Sequence, residues 1–196
     1  MKVIFDNVNF SSSSGPNSFA LKLAQVFHEK NILCPEGEKP SAQLSFIQSN
    51  LKLAPIFQRL DGIYFNISQD WKSLNYPIKN TFDASIGVIY QSAFNKKLTE
   101  EYFGKKDNFA IIHNGTNLEL ISRIPLLQNP ILDSFSTVYC CASTWRPHKR
   151  LRSNIDYFLS CASEDSCLVV AGDGAEQNGL ISHPRIFYVG SLEYTQ

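Results

Sequence analysis

Short apolar runs alternate along the chain with amphipathic or polar stretches. Continuous apolar runs predict buried strands, whereas apolar residues three and four positions apart predict helices that pack on a sheet. Helices are predicted after a cap at Asn17 or Ser18, over residues 92–103, and from Leu151 onward. The predicted strands cover residues 2–5, 44–48, 55–60, 84–90, 110–112, 138–142, 167–171 and 185–189. This alternation predicts parallel α/β sheets, with the loops that follow the strands at one edge of each sheet.

The stretch 120–135 breaks the alternation, because it contains Pro125 and Pro130 and has no regular apolar period. It predicts an irregular linker between two Rossmann-like parallel-sheet domains, residues 1–130 and 131–196. The second domain then has three predicted strands, which we expect to be too few to bury a sound core alone.

Four basic residues lie between the predicted strand 138–142 and the helix that begins at Leu151: Arg146, His148, Lys149 and Arg150. The first N–H groups of a helix favour an anion, and Arg and Lys side chains add charge-assisted hydrogen bonds. The stretch therefore predicts a phosphate cradle. A solvated basic turn is the alternative.

Other loops at strand ends carry further candidates. Gly15 precedes the first helix, Asp61 follows the strand 55–60, and Asn114 follows the strand 110–112. The turn Gly172-Asp173-Gly174 follows the strand 167–171. Loops at this edge are where α/β proteins hold ligands. Gly15 could also belong to a plain flexible loop, and Asp61 could be a turn former before Gly62.

Composition narrows the protein class. The 196 residues include 18 Lys and Arg and 18 Asp and Glu, so no net positive field favours nucleic acid. A hydrophobic fraction of 43% indicates a globular core. The first apolar run is interrupted by Asp6 and Asn7, which argues against a signal peptide, and no stretch reaches the length of a membrane span. A cytoplasmic location is therefore expected.

No metal site is expected from the side chains that bind metals. The five cysteines lack zinc-site spacing and are predicted to be reduced core residues. His113 and His148 have no second ligand at helical spacing.

Taken together, these stretches resemble the family 4 glycosyltransferases, which have the two-domain GT-B fold. The matching stretches occur in the family's order and span nearly the whole chain: the Gly15 loop and residues 55–65, 83–94, 111–115, 142–151, 169–174 and 187–190. The resemblance implies transfer of a sugar, with retention of configuration, from a UDP- or GDP-linked donor. It implies a nucleotide-sugar as substrate, with no further cofactor.

The resemblance also implies roles for particular residues. Lys149 matches the family's lysine on the donor diphosphate, whereas Thr144 stands where the usual arginine falls, and Arg146 lies near enough to replace it. Asp61 lies where many relatives have a histidine that meets the transferred sugar. Catalysis is thus assigned to Asp61, Arg146 and Lys149. Donor binding is assigned to Gly15, Asn114, Arg146, Lys149, Gly172, Asp173 and Gly174.

A glycan, a lipid-linked sugar or a protein is the implied acceptor, in cell-surface polysaccharide assembly or a related process, with peripheral membrane contact as a further expectation. Relatives continue into a segment with two glutamates that contact the donor, and this chain ends before it. The sequence therefore suggests a truncated chain, a complementing C-terminal polypeptide, or a non-catalytic binding remnant. A nicotinamide-binding Rossmann domain is disfavoured, because Gly172 and Gly174 lack a third glycine at the fingerprint spacing.

Overall fold

The computed structural model describes residues 1–12, 14–125, 128–175 and 180–192. Its backbone divides into two compact units, Met1–Gly115 and Thr116–Gln196. The predicted boundary at residue 130 stays a prediction.

The first unit contains a five-stranded parallel sheet in the order β1-β2-β3-β4-β5. Its elements, in chain order, are β1 (Val3–Asp6), α1 (Gly15–Glu29), β2 (Ala42–Phe46), β3 (Ile56–Leu60), α2 (Trp71–Ala84), β4 (Gly87–Tyr90), α3 (Ala93–Phe103) and β5 (Phe109–Ile111). Apolar side chains lie on both faces of the sheet. Phe46 packs in the cluster that α1 covers, and Leu60 packs in the cluster that α2 and α3 cover.

The second unit contains a three-stranded parallel sheet in the order β6-β7-β8. Its elements are α4 (Leu118–Ser122), β6 (Thr137–Ala142), α5 (Leu151–Cys161), β7 (Ser166–Ala171) and β8 (Ile186–Gly190), with short 3-10 turns at Leu132–Ser134 and Pro147–Lys149. Leu151, Ile155 and Phe158 of α5 pack on β7 and β8 and form its core with Trp145.

The prediction missed α2 entirely and began a strand at residue 84, where α2 in fact ends. Pro77 lies inside this helix and hid its period, because proline is normally a helix breaker. The start is well marked, since the Asp70 carboxylate accepts a hydrogen bond from the Ser73 N–H at 3.2 Å. Ile78 and Phe82 are the buried apolar residues that hold α2 on the sheet.

The first helix begins at Gly15, earlier than the predicted cap at Asn17 or Ser18. Asn17 is instead inside the helix, and its Oδ1 accepts a hydrogen bond from the Asn9 N–H at 2.8 Å. Pro16 suits this position, because proline in the first turn lacks only an N–H that has no intrahelical acceptor.

The stretch 120–135 is less irregular than predicted. Asn117 caps α4, since its Oδ1 accepts a hydrogen bond from the Leu120 N–H at 3.0 Å, and a 3-10 turn follows at Leu132–Ser134. Residues 126 and 127 lie outside the described part of the chain.

The prediction that residues 138–142 form a buried strand was right about the strand and wrong about its burial. β6 is mostly exposed, because within the described residues it is an edge strand that pairs only with β7. The cysteines also differ from their prediction, since Cys140 lies on this edge strand and Cys161 is the last residue of α5. Cys167, on β7, is buried, whereas Cys140 and Cys161 are exposed.

Candidate functional site

A buried arginine organises the carboxyl edge of the first sheet. Arg59 lies near the end of β3 and is only 5% exposed. Its guanidinium carbon lies 3.9 Å from the centroid of the Phe19 ring and 5.7 Å from that of the Phe46 ring. The negative faces of these rings favour the cation, so α1 and β2 both help to hold Arg59.

Arg59 connects two of the residues predicted for the site. Its Nη1 forms an ion pair with Asp61, and its Nη2 donates a hydrogen bond to Asn114 Oδ1 at 2.8 Å. The structure therefore brings Asp61 and Asn114 to one guanidinium. Sequence reasoning missed Arg59, although a charged residue within the apolar run of β3 was the available signal.

The environment of Asp61 alters its acidity. Burial raises the pKa of the Asp61 carboxyl, and the charge of Arg59 and its hydrogen bond act against this rise. Asp61 Oδ2 has no hydrogen-bond partner within the described ranges, whereas Oδ1 accepts from Arg59. One carboxylate oxygen therefore remains available to a ligand hydroxyl.

Gly15 lies apart from this cluster. It begins α1, it has no left-handed φ, and a Cβ added to it would meet no atom within 4 Å. Its connection to the Arg59 cluster is indirect, through Phe19 one turn later in α1. No feature of the backbone requires glycine at this position, and donor binding by Gly15 stays a prediction.

The basic loop of the second unit leads from β6 into α5. Arg146 precedes the 3-10 turn Pro147–Lys149, and Arg150 then adopts a left-handed φ of 56° before α5 begins at Leu151. The side chains of Arg146 and Lys149 are exposed and have no ion-pair or hydrogen-bond partner in the described part of the chain. Both cations are therefore available to an anion at the start of α5.

Two glycines hold the beginning of this loop by close backbone contact. A Cβ on Gly172 would lie 1.9 Å from the Ser143 carbonyl oxygen, and one on Gly174 would lie 2.1 Å from the Trp145 carbonyl oxygen. Both glycines also have positive φ, at 101° and 149°. The loops after β6 and β7 thus pack backbone against backbone, which only glycine permits here.

Trp145 anchors the same loop in the hydrophobic core of the second unit. It is 2% exposed, its Nε1 donates a hydrogen bond to the Ala171 carbonyl at 2.9 Å, and its N–H donates to the Asp173 carbonyl at 2.8 Å. The Asp173 carboxylate accepts a hydrogen bond from the hydroxyl of Ser191, which follows β8. The predicted residues Gly172, Asp173 and Gly174 therefore lie directly beside the basic loop. Sequence reasoning did not identify Trp145 as the anchor.

The described ranges contain no group of three or more His, Cys, Asp or Glu side chains arranged to hold a metal ion. None of their helices combines the length and the apolar character needed to cross a bilayer.

Comparison with solved structures identifies the fold. Crystal structures of HepE (Alr3699) from Anabaena, in complex with UDP and with UDP-glucose, superpose with TM-scores of 0.67 and 0.66 at 13% and 14% sequence identity. Each match covers 98% of this chain and 70% of the HepE chain. TarM matches with a TM-score of 0.53 at 17% identity, over 90% of this chain and 37% of the TarM chain.

The chain has the GT-B fold. The predicted fold class, α/β with two Rossmann-like parallel sheets, is confirmed. No protein-family model matches the sequence, and no curated protein sequence matches it. The assignment of individual residues to catalysis or donor binding stays a prediction.

We expect Asp61→Asn to lower the free energy of unfolding by about 3 kcal/mol, because it leaves the buried Arg59 charge without a counter-ion. The matched control is Asp83→Asn, which breaks the exposed pair between Lys79 and Asp83 and should cost less than about 1 kcal/mol. Urea denaturation followed by circular dichroism measures both. Equal losses in the two variants would contradict the role given to Arg59.

We expect Gly172→Ala to destabilise the second unit by at least about 2 kcal/mol, because the new methyl group collides with the Ser143 carbonyl at a positive φ. Gly62→Ala is the control, since a Cβ there has no neighbour within 4 Å and its cost should be within about 0.5 kcal/mol. Trp145 fluorescence in a Trp71→Phe background reports unfolding of the second unit. A Gly172→Ala protein as stable as its parent would show that the two loops do not pack as described.

Proposed function

We propose that this protein binds a nucleotide-sugar and transfers the sugar to an acceptor, as a glycosyltransferase of the EC 2.4 type. The observation that carries the proposal is the basic loop at the carboxyl edge of the second sheet. Arg146 and Lys149 are exposed there without side-chain partners among the described residues, beside the turn formed by Gly172 and Gly174. Parallel α/β sheets bind nucleotides at this edge.

The chemistry of the loop suits a diphosphate. The planar guanidinium of Arg146 can donate two parallel hydrogen bonds to phosphate oxygens, and the Lys149 ammonium adds a point charge. The positive end of the α5 dipole lies at the same loop and also favours an anion. Both cations stabilise the negative charge that develops on the leaving diphosphate, which is electrostatic catalysis by groups already in place. In this proposal the protein needs no cofactor besides its nucleotide-sugar substrate.

A uridine nucleotide is the first donor to test. HepE was crystallised with UDP and with UDP-glucose, and its fold is similar to that of this chain over 98% of the chain's length. GDP is the alternative that the sequence leaves open. Asp173 lies beside the loop and presents a carboxylate, an acceptor for the hydroxyls of a ribose.

The finer part of the proposal is membership of glycosyltransferase family 4, with retention of configuration at the anomeric carbon. Its support is the ordered series of motifs, among them Lys149 and the dipeptide Asn114-Gly115. Asp61 is proposed to accept a hydroxyl of the transferred sugar through Oδ2, the oxygen that Arg59 leaves unpaired. NMR of the anomeric coupling in the transferred sugar tests retention, and an inverted product rejects it.

The proposed acceptor is a glycan, a lipid-linked sugar or a protein, in assembly of cell-surface polysaccharide at the cytoplasmic side of a membrane. The exposed β6 supports a complementing polypeptide that pairs with this edge. Binding of the donor without transfer is the alternative function. Steady release of UDP from UDP-glucose in the presence of a sugar acceptor would reject that alternative.

We expect calorimetric titration of the full chain with UDP, GDP, ADP and NAD to show preferred binding of UDP. In the Arg146→Ala/Lys149→Ala variant, affinity for UDP should fall at least tenfold, because about 1.5–3 kcal/mol is lost for each hydrogen bond to a charged group. The matched control is Lys97→Ala/Lys105→Ala, which removes two exposed cations of the first unit. It should bind UDP as the parent does.

Equal affinity for UDP in the parent and the Arg146→Ala/Lys149→Ala variant would reject the role of the basic loop. Tighter binding of NAD than of any nucleoside diphosphate would reject the glycosyltransferase proposal and favour a nicotinamide enzyme.

A further inference from the structure

A pocket of about 360 Å³ opens at the carboxyl edge of the first sheet. It lies where β1 and β2 end beside the start of α1, and its volume is within the range of small-molecule sites. Four asparagines supply most of its polar lining: Asn7, Asn9, Asn17 and Asn50. Val8, Pro16 and Ile47 supply apolar surface.

The backbone at one wall of this pocket is strained. Ile47 has a φ of 69°, which is rare for a β-branched residue. Its N–H donates a hydrogen bond to the Arg59 carbonyl at 2.8 Å, and its carbonyl accepts one from Gln58 Nε2 at 2.7 Å. Strain that neighbouring groups hold in place is characteristic of ligand-binding positions. The wall is therefore formed before any ligand arrives.

Hydrogen bonds among the asparagines fix their orientation. Asn7 Nδ2 donates to the Phe46 carbonyl at 2.6 Å, and Asn50 Nδ2 donates to Asn7 Oδ1 at 3.2 Å. This arrangement leaves one donor, Asn9 Nδ2, and one acceptor, Asn50 Oδ1, without a partner among the residues that the structure describes. A hydroxyl group both donates and accepts, so a polyol satisfies both amide groups.

The charges around the pocket disfavour a phosphate. Its described lining contains no Lys, Arg or His. Two ionised groups lie against the lining. The Asp6 carboxylate accepts a hydrogen bond from the Asn50 N–H at 3.1 Å, whereas the Arg59 guanidinium beside the Phe46 ring is already paired with Asp61. Pro16 lacks an N–H and so removes one donor from the first turn of α1. The pocket thus offers neutral amides beside a negative charge.

We infer that this pocket binds an uncharged sugar ring, with ring hydroxyls on Asn9 and Asn50 and an apolar ring face on Val8 and Ile47. In the terms of the proposed function, on which this part rests, the ring is the reacting end of the acceptor. The chain then acts on acceptors that end in a neutral sugar. It discriminates against acceptors whose reacting group is itself a phosphate.

Heteronuclear NMR of the full chain tests the inference. The neutral probes are the methyl glycosides of glucose, galactose, mannose and N-acetylglucosamine, and the charged probe is glucose 1-phosphate. At least one methyl glycoside should shift the side-chain amide resonances of Asn9 and Asn50. Glucose 1-phosphate should shift them at concentrations at least tenfold higher, or not at all.

Two variants of the lining, Asn9→Leu and Asn50→Leu, should each weaken binding of that glycoside about three- to tenfold, since each loses one neutral hydrogen bond. Asn80→Leu, at an exposed position of α2, is the matched control and should bind as the parent does. Backbone resonances away from the pocket verify that each variant is folded. Should Asn50→Leu unfold, Asn9→Leu alone carries the test.

Absence of pocket shifts with every glycoside up to its solubility limit would overturn the inference. Unchanged affinity in both variants would overturn it as well, as would a preference of the pocket for glucose 1-phosphate. The UDP titration separates this inference from the proposed function. UDP binding without glycoside binding rejects the pocket alone, whereas glycoside binding without UDP binding rejects the donor loop alone.

Discussion

The first unit depends on the enclosure of one positive charge, that of Arg59. A guanidinium that is 5% exposed must have its charge and hydrogen bonds matched inside the protein. The rings of Phe19 and Phe46, the carboxylate of Asp61 and the amide of Asn114 meet this requirement together. A single buried charge therefore sets the relative positions of a helix, two strands and the loop after β5. The groups that match it also form the candidate site.

In the second unit, the loop that carries the cations is fixed by backbone contacts and not by a buried charge. Its cations remain in water, and the backbone beneath them is held by contact with another backbone. Trp145 donates one hydrogen bond to the end of β7 and one to the turn that follows it, and Gly172 and Gly174 allow its loop to approach within van der Waals distance. No carboxylate in the described part of the chain is paired with Arg146 or Lys149, so a ligand does not have to displace one. Gly172, Gly174 and Trp145 thus hold the loop rigid, whereas Arg146 and Lys149 supply its positive charge.

The sequence predicted the fold well where burial determines the pattern. β7, for example, is an apolar run because both of its faces are buried. The prediction from sequence failed where one residue is atypical of its element, as Pro77 is inside the helix α2. For the site, short-range chemistry identified Arg146 and Lys149, since clustered charge before a helix is visible in any sequence. The partnership of Arg59 with Asn114 joins residues 55 positions apart, and only the fold brings them together.

The contact between the loops after β6 and β7 also bears on how such a site evolves. Its atoms are main-chain atoms of Ser143, Trp145 and Asp173 packed on Gly172 and Gly174, so the path of the loop does not depend on the side chains at positions 144 and 146. Mutation can therefore exchange these two side chains without reshaping the loop. At positions 144 and 146, now threonine and arginine, a cation could therefore be gained or lost while the loop kept its path.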